Sequence, residues 1–567
     1  MDSLKIPLPR PSFPLQAWRF ALQGYFDADE LIATLTYGWD FAFLAPPHPK
    51  DATRNLGSAN IAPQDIDTYI STELQHGALV GPFSDNELPF PVFRSPLGSV
   101  HKVPVRRTIT DCSQNGVGIN SYISAHLHRG QNWKLFLPTT HTIVSLIQKC
   151  RALYPGQRLV MFKLDYSRWY RWFQIDPSQA IFFAIKWNHL TYLDAALSFG
   201  NRASALCAQR CMWAIIWIFR TRIEPQKGVQ NSGFSCSCPS HCDCGSIFSC
   251  GYIDDSITIS PQHLASHQFH AFIQLCQNLG LKLSTSPGHI SPPAPSCVAL
   301  GLRYDLDENT VSLPQPKLDS LLALIDDWLH KDFATDKEFA SLAGRLINAS
   351  NVVRSGRLLC SRILANKRLA AANNSKFKVD SACKEDLLWW QSALKTRNGV
   401  SFLVHDSDVT LAMDASGHGW FQGLPGLAGF NFASNEFWHG PPPEHLSHLD
   451  IADLETLCHV VSCHIWGSSW NKLQILGQTD NKISFYLFNN GRSRDELRLR
   501  MARFVAASQV THNFIWKPEW ISTHVNLLPD SLSRWASPKH RAVFFEECAR
   551  LGIKPKKIDL LPEHFYF

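Results

Sequence analysis

The chain alternates apolar, β-prone runs with longer segments of helical period, and three of the runs share a feature: each ends on a carboxylate. Residues 159–165 are apolar apart from Lys163 and close on Asp165, while runs at 409–414 and 473–480 close on Asp414 and Asp480. Runs of this length read as strands, and an Asp at the end of a buried strand has its backbone fixed while its carboxylate stays at the sheet edge. A cap for the following turn is the alternative use of such an Asp. A further β-prone stretch, 251–260, carries Asp254 and Asp255 side by side. Strict alternation would put Tyr252 and Asp254 on one face and Ile253 and Asp255 on the other, with a tight turn lifting one or both carboxylates. A solvated turn is the plainer reading of the pair alone.

Helical period fills the intervals. A long apolar helix runs through Arg220, and a helix over 264–279 ends at Gly280. Residues 317–329 place Leu318, Leu321, Leu322, Ile325, Trp328 and Leu329 at helical spacing. Thr335 and Glu338 form a capping box for a helix carrying Phe339, Leu342 and Leu346. This region, to about residue 396, reads as a connector whose Arg345, Arg354, Arg357 and Arg362 either face a phosphate backbone or lie on solvated helix faces. Further on, a helix over 449–461 carries Glu455 among apolar neighbours, and one beginning near 526 holds Asp530 close to its amino end.

Composition bounds the class. With 567 residues the chain is too long for one core, and 45% hydrophobic with 18% charged residues is an ordinary globular mixture. A net charge of +6 suits a nucleic-acid partner without demanding one. The longest apolar run, 211–219, is half of the roughly 18 residues a membrane span requires. The amino end has neither a signal nor a transit-peptide pattern, and the 16 cysteines are mostly scattered, so the expectation is an intracellular, reduced protein without a membrane partner, in the cytoplasm, the nucleus or both. One cluster stands out: Cys236, Cys238, Cys242 and Cys244 can hold zinc, although their C-x-C spacing is tighter than the usual knuckle, and a flexible insertion with reduced thiols is the competing reading.

The chemistry gathers in two places. Residues 93–111, with Lys102, Arg106 and Arg107, read as an antiparallel hairpin carrying cations suited to a triphosphate. Gly200, following Phe199 where the chain leads into the long apolar helix, allows close backbone approach to a ligand or template. Downstream, Asp414, Glu455, Asp480 and Asp530 fall within about 130 residues. As a set they suggest a two-metal cage that clamps the attacking and leaving oxygens of a phosphodiester.

In order, SPLGSVHK (95–102), RRTITDCS (106–113), FKLDYSRWYRWFQIDP (162–177), LSFGNRAS (197–204) and GYIDDS (251–256) resemble the ordered motifs of reverse transcriptases. MDASGHGW (413–420), DLETL (453–457), QTDN (478–481) and PDSLSR (529–534) resemble the attached ribonuclease H. The GPF…SPLG lead and the LSR ending are most similar to tyrosine-recombinase retrotransposons, the DIRS and Ngaro group. The resemblance spans roughly residues 15 to 540.

That resemblance implies an α+β multidomain fold: a right-hand polymerase with fingers, palm and a helical thumb or connector, followed by an α/β ribonuclease H-like domain. The expected layout is an amino-terminal extension (1–80) without chemistry of its own, fingers and palm (81–305) with a cysteine-rich insertion (221–250), a connector (306–400), the nuclease-like domain (405–540) and a tail (541–567). Asp165, Asp254 and Asp255 would be the polymerase carboxylates, and Asp414, Glu455, Asp480 and Asp530 those of the nuclease, each centre holding two Mg2+ or Mn2+ ions. Lys102 and Arg107 would contact the incoming triphosphate. Tyr170 would stack under its sugar, and Phe199 and Gly200 would meet template and nucleotide. The implied partners are RNA template, DNA primer, RNA–DNA hybrid and dNTPs, with an element-encoded nucleocapsid and recombinase. Three departures stand out: Lys282 or His289 must serve where the family has a Lys, Trp520 stands where a nuclease His is common and leaves open whether His524 substitutes for it, and the cysteine-rich insertion has no counterpart. The implied function is RNA-directed DNA polymerisation with ribonuclease H activity. Alternatives are a decayed or co-opted nucleic-acid binder, or a polymerase without an active nuclease.

Overall fold

The computed structural model describes residues 13–49, 54–88, 91–102, 105–124, 126–223, 247–353, 355–372, 376–402 and 407–567. The chain is an α+β protein of two compact units, one formed by residues 1–300 with 305–307, the other by 301–304 with 308–567. No helix among the described residues is long and apolar enough to cross a membrane.

In the first unit, seven elements position the site: α1 (Pro63–Gln75), β1 (Leu97–Lys102), β2 (Val105–Thr110), β3 (Leu159–Asp165), α2 (Ser204–Arg222), β4 (Phe248–Tyr252) and β5 (Asp255–Pro261). Strand β5 lies between β3 and β4, antiparallel to both, and Ser291–Ala294 completes a four-stranded sheet beside β3. The apolar stretch before Asp165 is explained by burial: Leu159 to Phe162 and Leu164 are all enclosed. Helix α2 is buried along most of its length, with Cys207, Cys211, Ile215 and Phe219 in the largest core. The cation-bearing stretch forms the expected hairpin, β1 against β2, with Val100 opposite Arg107 and Lys102 opposite Val105.

The segment before residue 80 belongs to this unit's core. The Trp18 indole Nε1 donates to the Leu279 carbonyl at 2.9 Å, and Trp18, Leu22 and Trp39 are enclosed. Asp27 holds Arg210 of α2 through two hydrogen bonds, Nε to Oδ2 at 2.9 Å and Nη2 to Oδ1 at 2.6 Å. The guanidinium also lies 5.3 Å from the Trp39 ring and 4.5 Å from the Trp133 ring, a cation held between indoles.

The second unit begins with helices. The expected one appears as Gln315–Leu329 with Leu318, Leu321, Ile325 and Trp328 buried, and the Thr335–Glu338 capping box closes in both directions. Of the four arginines singled out in this region, Arg362 is engaged by Asp386, Glu385 and the Ala382 carbonyl, and Arg354 lies outside the described residues. A six-stranded sheet follows, built from β6 (Val409–Ser416), β7 (Gly426–Asn431), β8 (Glu436–Gly440), β9 (Gln474–Thr479), β10 (Ile515–Trp520) and β11 (Lys556–Lys557), in the order β10-β9-β6-β7-β8-β11. Strands β6, β7 and β8 form an antiparallel meander, whereas β9 joins β6 and β10 joins β9 in parallel. Helix α3 (Ile451–Trp466) connects β8 to β9, and α4 (Leu527–Ser533) packs on β6 and β7. The residues read as a tail after 540 are part of this fold: α5 (Pro538–Arg550) buries Phe544 and Cys548, and β11 pairs with β8.

Removing one partner of a buried ion pair leaves an uncompensated charge. Asp27→Asn is therefore expected to lower the unfolding free energy of the first unit by about 3 kcal/mol, read as a drop in the urea midpoint.

Candidate functional site

The first centre is made by register. Asp165, the last residue of β3, lies directly opposite Asp255, the first of β5, and Asp255 also faces Tyr252 across a two-residue turn, Ile253–Asp254. That turn breaks the alternation expected from sequence, so Tyr252 and Asp255 share a side and Asp254 projects from the tip. The turn is strained: Ile253, a β-branched residue, has φ 51°, a conformation such residues rarely adopt. Gln209 holds it there. Fully enclosed on α2, its amide Nε2 donates to the Gly251 carbonyl at 2.8 Å and its Oε1 accepts from the Ile253 N–H at 2.7 Å. A Cβ on Gly251 would sit 2.2 Å from the Met212 side chain, so the hairpin presses directly on α2.

The two adjacent carboxylates have different environments. Lys163 Nζ pairs with Asp255 Oδ1 at 3.1 Å. Among the described residues no cation is paired with Asp254, and burial, followed by the neighbouring Asp255 and Asp165, pushes its carboxyl up to about 6. Burial raises Asp255 as well, against the pull of Lys163. Asp165 pairs with the ring Nδ1 of His289.

Asp165 and Asp254 open into a cleft of about 510 Å³ that Arg107, Tyr170 and Phe199 also line. The Tyr170 and Phe199 rings meet at 4.7 Å. Gly200, at φ 98°, approaches the β2 backbone, where a Cβ would lie 2.5 Å from the Thr110 carbonyl oxygen. Lys102 is at the end of β1, its side chain outside the described atoms. His289 lines the cleft, whereas Lys282 lies with its Nζ 4.8 Å from the Trp172 ring.

Sequence reasoning missed the roles of Gln209 and Lys163, and although residues 65–75 read as a helix, it missed that a face of α1 reaches the cleft. The reading of residues 1–80 as free of chemistry needs correction, because Asp65, Thr68, Thr72 and Glu73 of α1 line this same cleft. Their spacing of three, four and one marks one helix face, but its destination depends on tertiary packing. The cysteine cluster at Cys236, Cys238, Cys242 and Cys244 lies outside the described residues.

The second centre joins β6, α3 and β9. Asp414, Glu455 and Asp480 each place a carboxylate oxygen so that all three lie within 4.8 Å of one another. Asp414 and Glu455 are buried, and desolvation raises both carboxyls well above their ordinary range, with the neighbouring acids adding to it. Ser533 Oγ donates to Asp414 Oδ2, and the Ala415 N–H donates to Glu455 Oε1 at 3.1 Å. Thr523 Oγ1 donates to Asp480 Oδ2 at 2.7 Å, while the Trp520 indole donates to the Asp480 carbonyl at 2.9 Å. Thus Thr523, not the exposed His524, touches this carboxylate. Asp530 on α4 is paired with Arg534 and is close enough for its charge to raise the Asp414 carboxyl.

The donor sets fit hard divalent cations. The second centre offers carboxylate oxygens only, the composition that suits Mg2+ or Mn2+, and the first offers carboxylates with the His289 ring nitrogen set against Asp165. In the second centre Glu455 Oε2 is buried with no hydrogen-bond partner. An orphaned carboxylate oxygen facing two other acids is costly unless a cation neutralises it.

No protein-family model matches the chain, and no curated protein matches it. Similar solved structures include the foamy viral protease-reverse transcriptase in complex with RNA/DNA hybrid, at 13% identity and TM-score 0.47, covering 90% of this chain and 64% of that one. Also similar are the foamy viral protease-reverse transcriptase dRH in complex with ds DNA (13%, TM-score 0.46, 91% and 84%) and the same type of protein in complex with dsDNA (14%, TM-score 0.44, 90% and 99%).

The Asp254 carboxyl at about 6 in the folded chain compares with about 4 when unfolded. The folded state therefore binds more proton between those values, and this group's contribution to stability falls as pH rises through them. Asp254→Asn is expected to raise the unfolding free energy of chelator-treated protein by about 2 kcal/mol at pH 7.5 and by under half of that at pH 4.5, measured by urea denaturation.

Proposed function

We propose that the chain is an RNA-directed DNA polymerase with ribonuclease H activity, encoded by a DIRS/Ngaro-type retrotransposon. The observation that carries the reading is the shared cleft: Asp165 at the end of β3 and Asp254 in the β4–β5 turn open into the same space as Arg107, Tyr170 and Phe199, while a separate cluster of three acids occupies the second unit. The motif order summarised above supplies the choice of template and product.

In the polymerase reaction a primer 3′-hydroxyl oxygen forms a bond to the α-phosphorus of a dNTP as the bond to pyrophosphate breaks. Divalent cations, when bound by Asp165, Asp254 and Asp255, supply Lewis acidity and neutralise the charge on the phosphate oxygens. Arg107, exposed at the cleft, presents a planar fork to the triphosphate, and Lys102, on the facing strand of the same hairpin, would add a point charge. Tyr170, its ring tilted by 59° against that of Phe199, would form the floor under the sugar, and a fixed floor there selects against a 2′-hydroxyl. Lys163 keeps Asp255 oriented, and Gln209 fixes the turn that aims Asp254, so the acids stand in place before substrate arrives.

In the nuclease reaction water attacks a phosphodiester of the RNA strand and the 3′-oxygen leaves. Asp414, Glu455, Asp480 and Asp530 are the cation-holding residues, with Ser533 and Thr523 fixing the orientation of two of them. The shape of the heteroduplex and its 2′-hydroxyls select the RNA strand. RNA template, DNA primer, RNA–DNA hybrid and dNTPs are accordingly the proposed partners.

The two centres are separable by mutation. Asp254→Asn with Asp255→Asn is expected to reduce Mg2+-dependent primer extension on an RNA template by about 10³-fold or more and to leave cleavage of a labelled RNA–DNA hybrid intact. Unchanged extension would contradict the assignment. Asp480→Asn is expected to do the reverse, abolishing hybrid cleavage while extension continues. Wild-type cleavage no greater than that of the Asp480→Asn variant would instead favour a polymerase without nuclease function, and salt-sensitive binding without any turnover would favour a nucleic-acid binder.

A further inference from the structure

At the wall of the cleft lies a largely buried ionic cluster that the polymerase reading does not use. Glu73 of α1 is 5% exposed, and its Oε2 accepts from Arg168 Nη2 at 2.9 Å and from Arg171 Nε at 2.7 Å. These arginines bracket Trp169 and Tyr170. Arg168 stands in the left-handed region, φ 53° and ψ 36°, which is uncommon for a residue with a side chain. Its guanidinium is tied to Glu73 and to the His76 ring, the latter at 3.1 Å, so contacts with α1 hold the chain in that conformation. Arg171 reaches the other way: Nη1 meets Asp194 Oδ1 at 2.8 Å and donates to the Leu197 carbonyl at 3.1 Å, two residues before Phe199. One carboxylate on α1 therefore anchors both the turn that carries Tyr170 and, through Arg171, the segment that leads from Asp194 to the turn carrying Phe199.

We propose that Glu73 is a positioning residue for the Tyr170–Phe199 floor and thereby sets how strongly the site discriminates between deoxyribo- and ribonucleotides. The inference rests on the polymerase reading and deepens it. Glu73 touches neither Tyr170 nor the metal-holding acids in the contacts described. Its effect runs through two guanidiniums whose spacing fixes the turn between them. Discrimination by exclusion depends on the floor standing still, since a displacement of under an ångström opens room for one oxygen atom.

The test compares single-nucleotide primer extension with dNTP and the matching rNTP, using full-length protein, for wild type, Glu73→Gln, Arg168→Gln and the double variant. Asp27→Asn serves as a control for general destabilisation, because its ion pair with Arg210 involves none of these groups. Glu73→Gln is expected to lower the dNTP-over-rNTP ratio of kcat/KM about tenfold, mainly through a higher KM for dNTP and improved use of rNTP. Arg168→Gln should act in the same direction, and the double variant should lose less than the sum of the two. Asp27→Asn should leave the ratio unchanged. An unaltered ratio in Glu73→Gln with active enzyme, or an equal change in Asp27→Asn, overturns the inference while leaving the polymerase reading intact. If Glu73→Gln does not fold, Arg168→Gln alone decides: an unaltered ratio there overturns it. Absence of extension by wild type overturns the polymerase reading, and this inference with it.

Discussion

Carboxylates repel one another and resist burial, yet this chain sets two groups of them at close quarters. In the second unit Asp414 and Glu455 are almost fully enclosed beside Asp480, and desolvation holds the carboxyls of Asp414 and Glu455 above their ordinary range. In the first unit Asp254 is raised for the same reason, with Asp255 and Asp165 adding their charge. Much of the surrounding architecture can be understood as the means of holding these groups where, without a cation, they would move apart or take up protons.

Holding them takes rigid elements and neutral donors. Three of the acids lie at or beside strand ends, where the ladder fixes the backbone and leaves the side chain at the rim. Around them, uncharged groups set orientation without cancelling the charge a cation would seek: Gln209 at the strained Ile253 turn, Ser533 against Asp414, and Thr523 against Asp480. The exceptions are Lys163 on Asp255 and His289 on Asp165 in the first centre, and Arg534 on Asp530 in the second. Among the described residues this leaves Asp254 in the first centre, and Asp414, Glu455 and Asp480 in the second, without a basic side chain paired to them.

The sequence carried the acids plainly because their positions follow from local rules. An apolar run that stops on Asp165 or Asp480 announces both strand and rim, and the Thr335–Glu338 capping box announces a helix start, within a few residues. What joins distant segments was less legible. Gln209 is one polar residue in an apolar helix, and nothing local tells that its amide meets a turn more than 40 residues away. The face of α1 that reaches the cleft looks like any amphipathic surface, and the role of Glu73 exists only once Arg168 and Arg171 are brought to it. The turn at Ile253–Asp254 defeated simple alternation because a two-residue connection resets which side chains share a face. The helix and strand after residue 540 were missed because β11 is too short to show a pattern and is defined by its partner β8.

The central claim is that the chain has two independent acidic centres built for divalent cations. Its most direct test is the stoichiometry of Mn2+ binding, followed by the electron paramagnetic resonance of free ion during titration of wild type, an Asp165→Asn/Asp254→Asn variant, an Asp414→Asn/Asp480→Asn variant and the combination of all four. The account predicts that each pair removes a distinct set of bound ions and that the fourfold variant, still folded by circular dichroism, retains none of the tight binding. Tight binding that survives undiminished in the fourfold variant would contradict it.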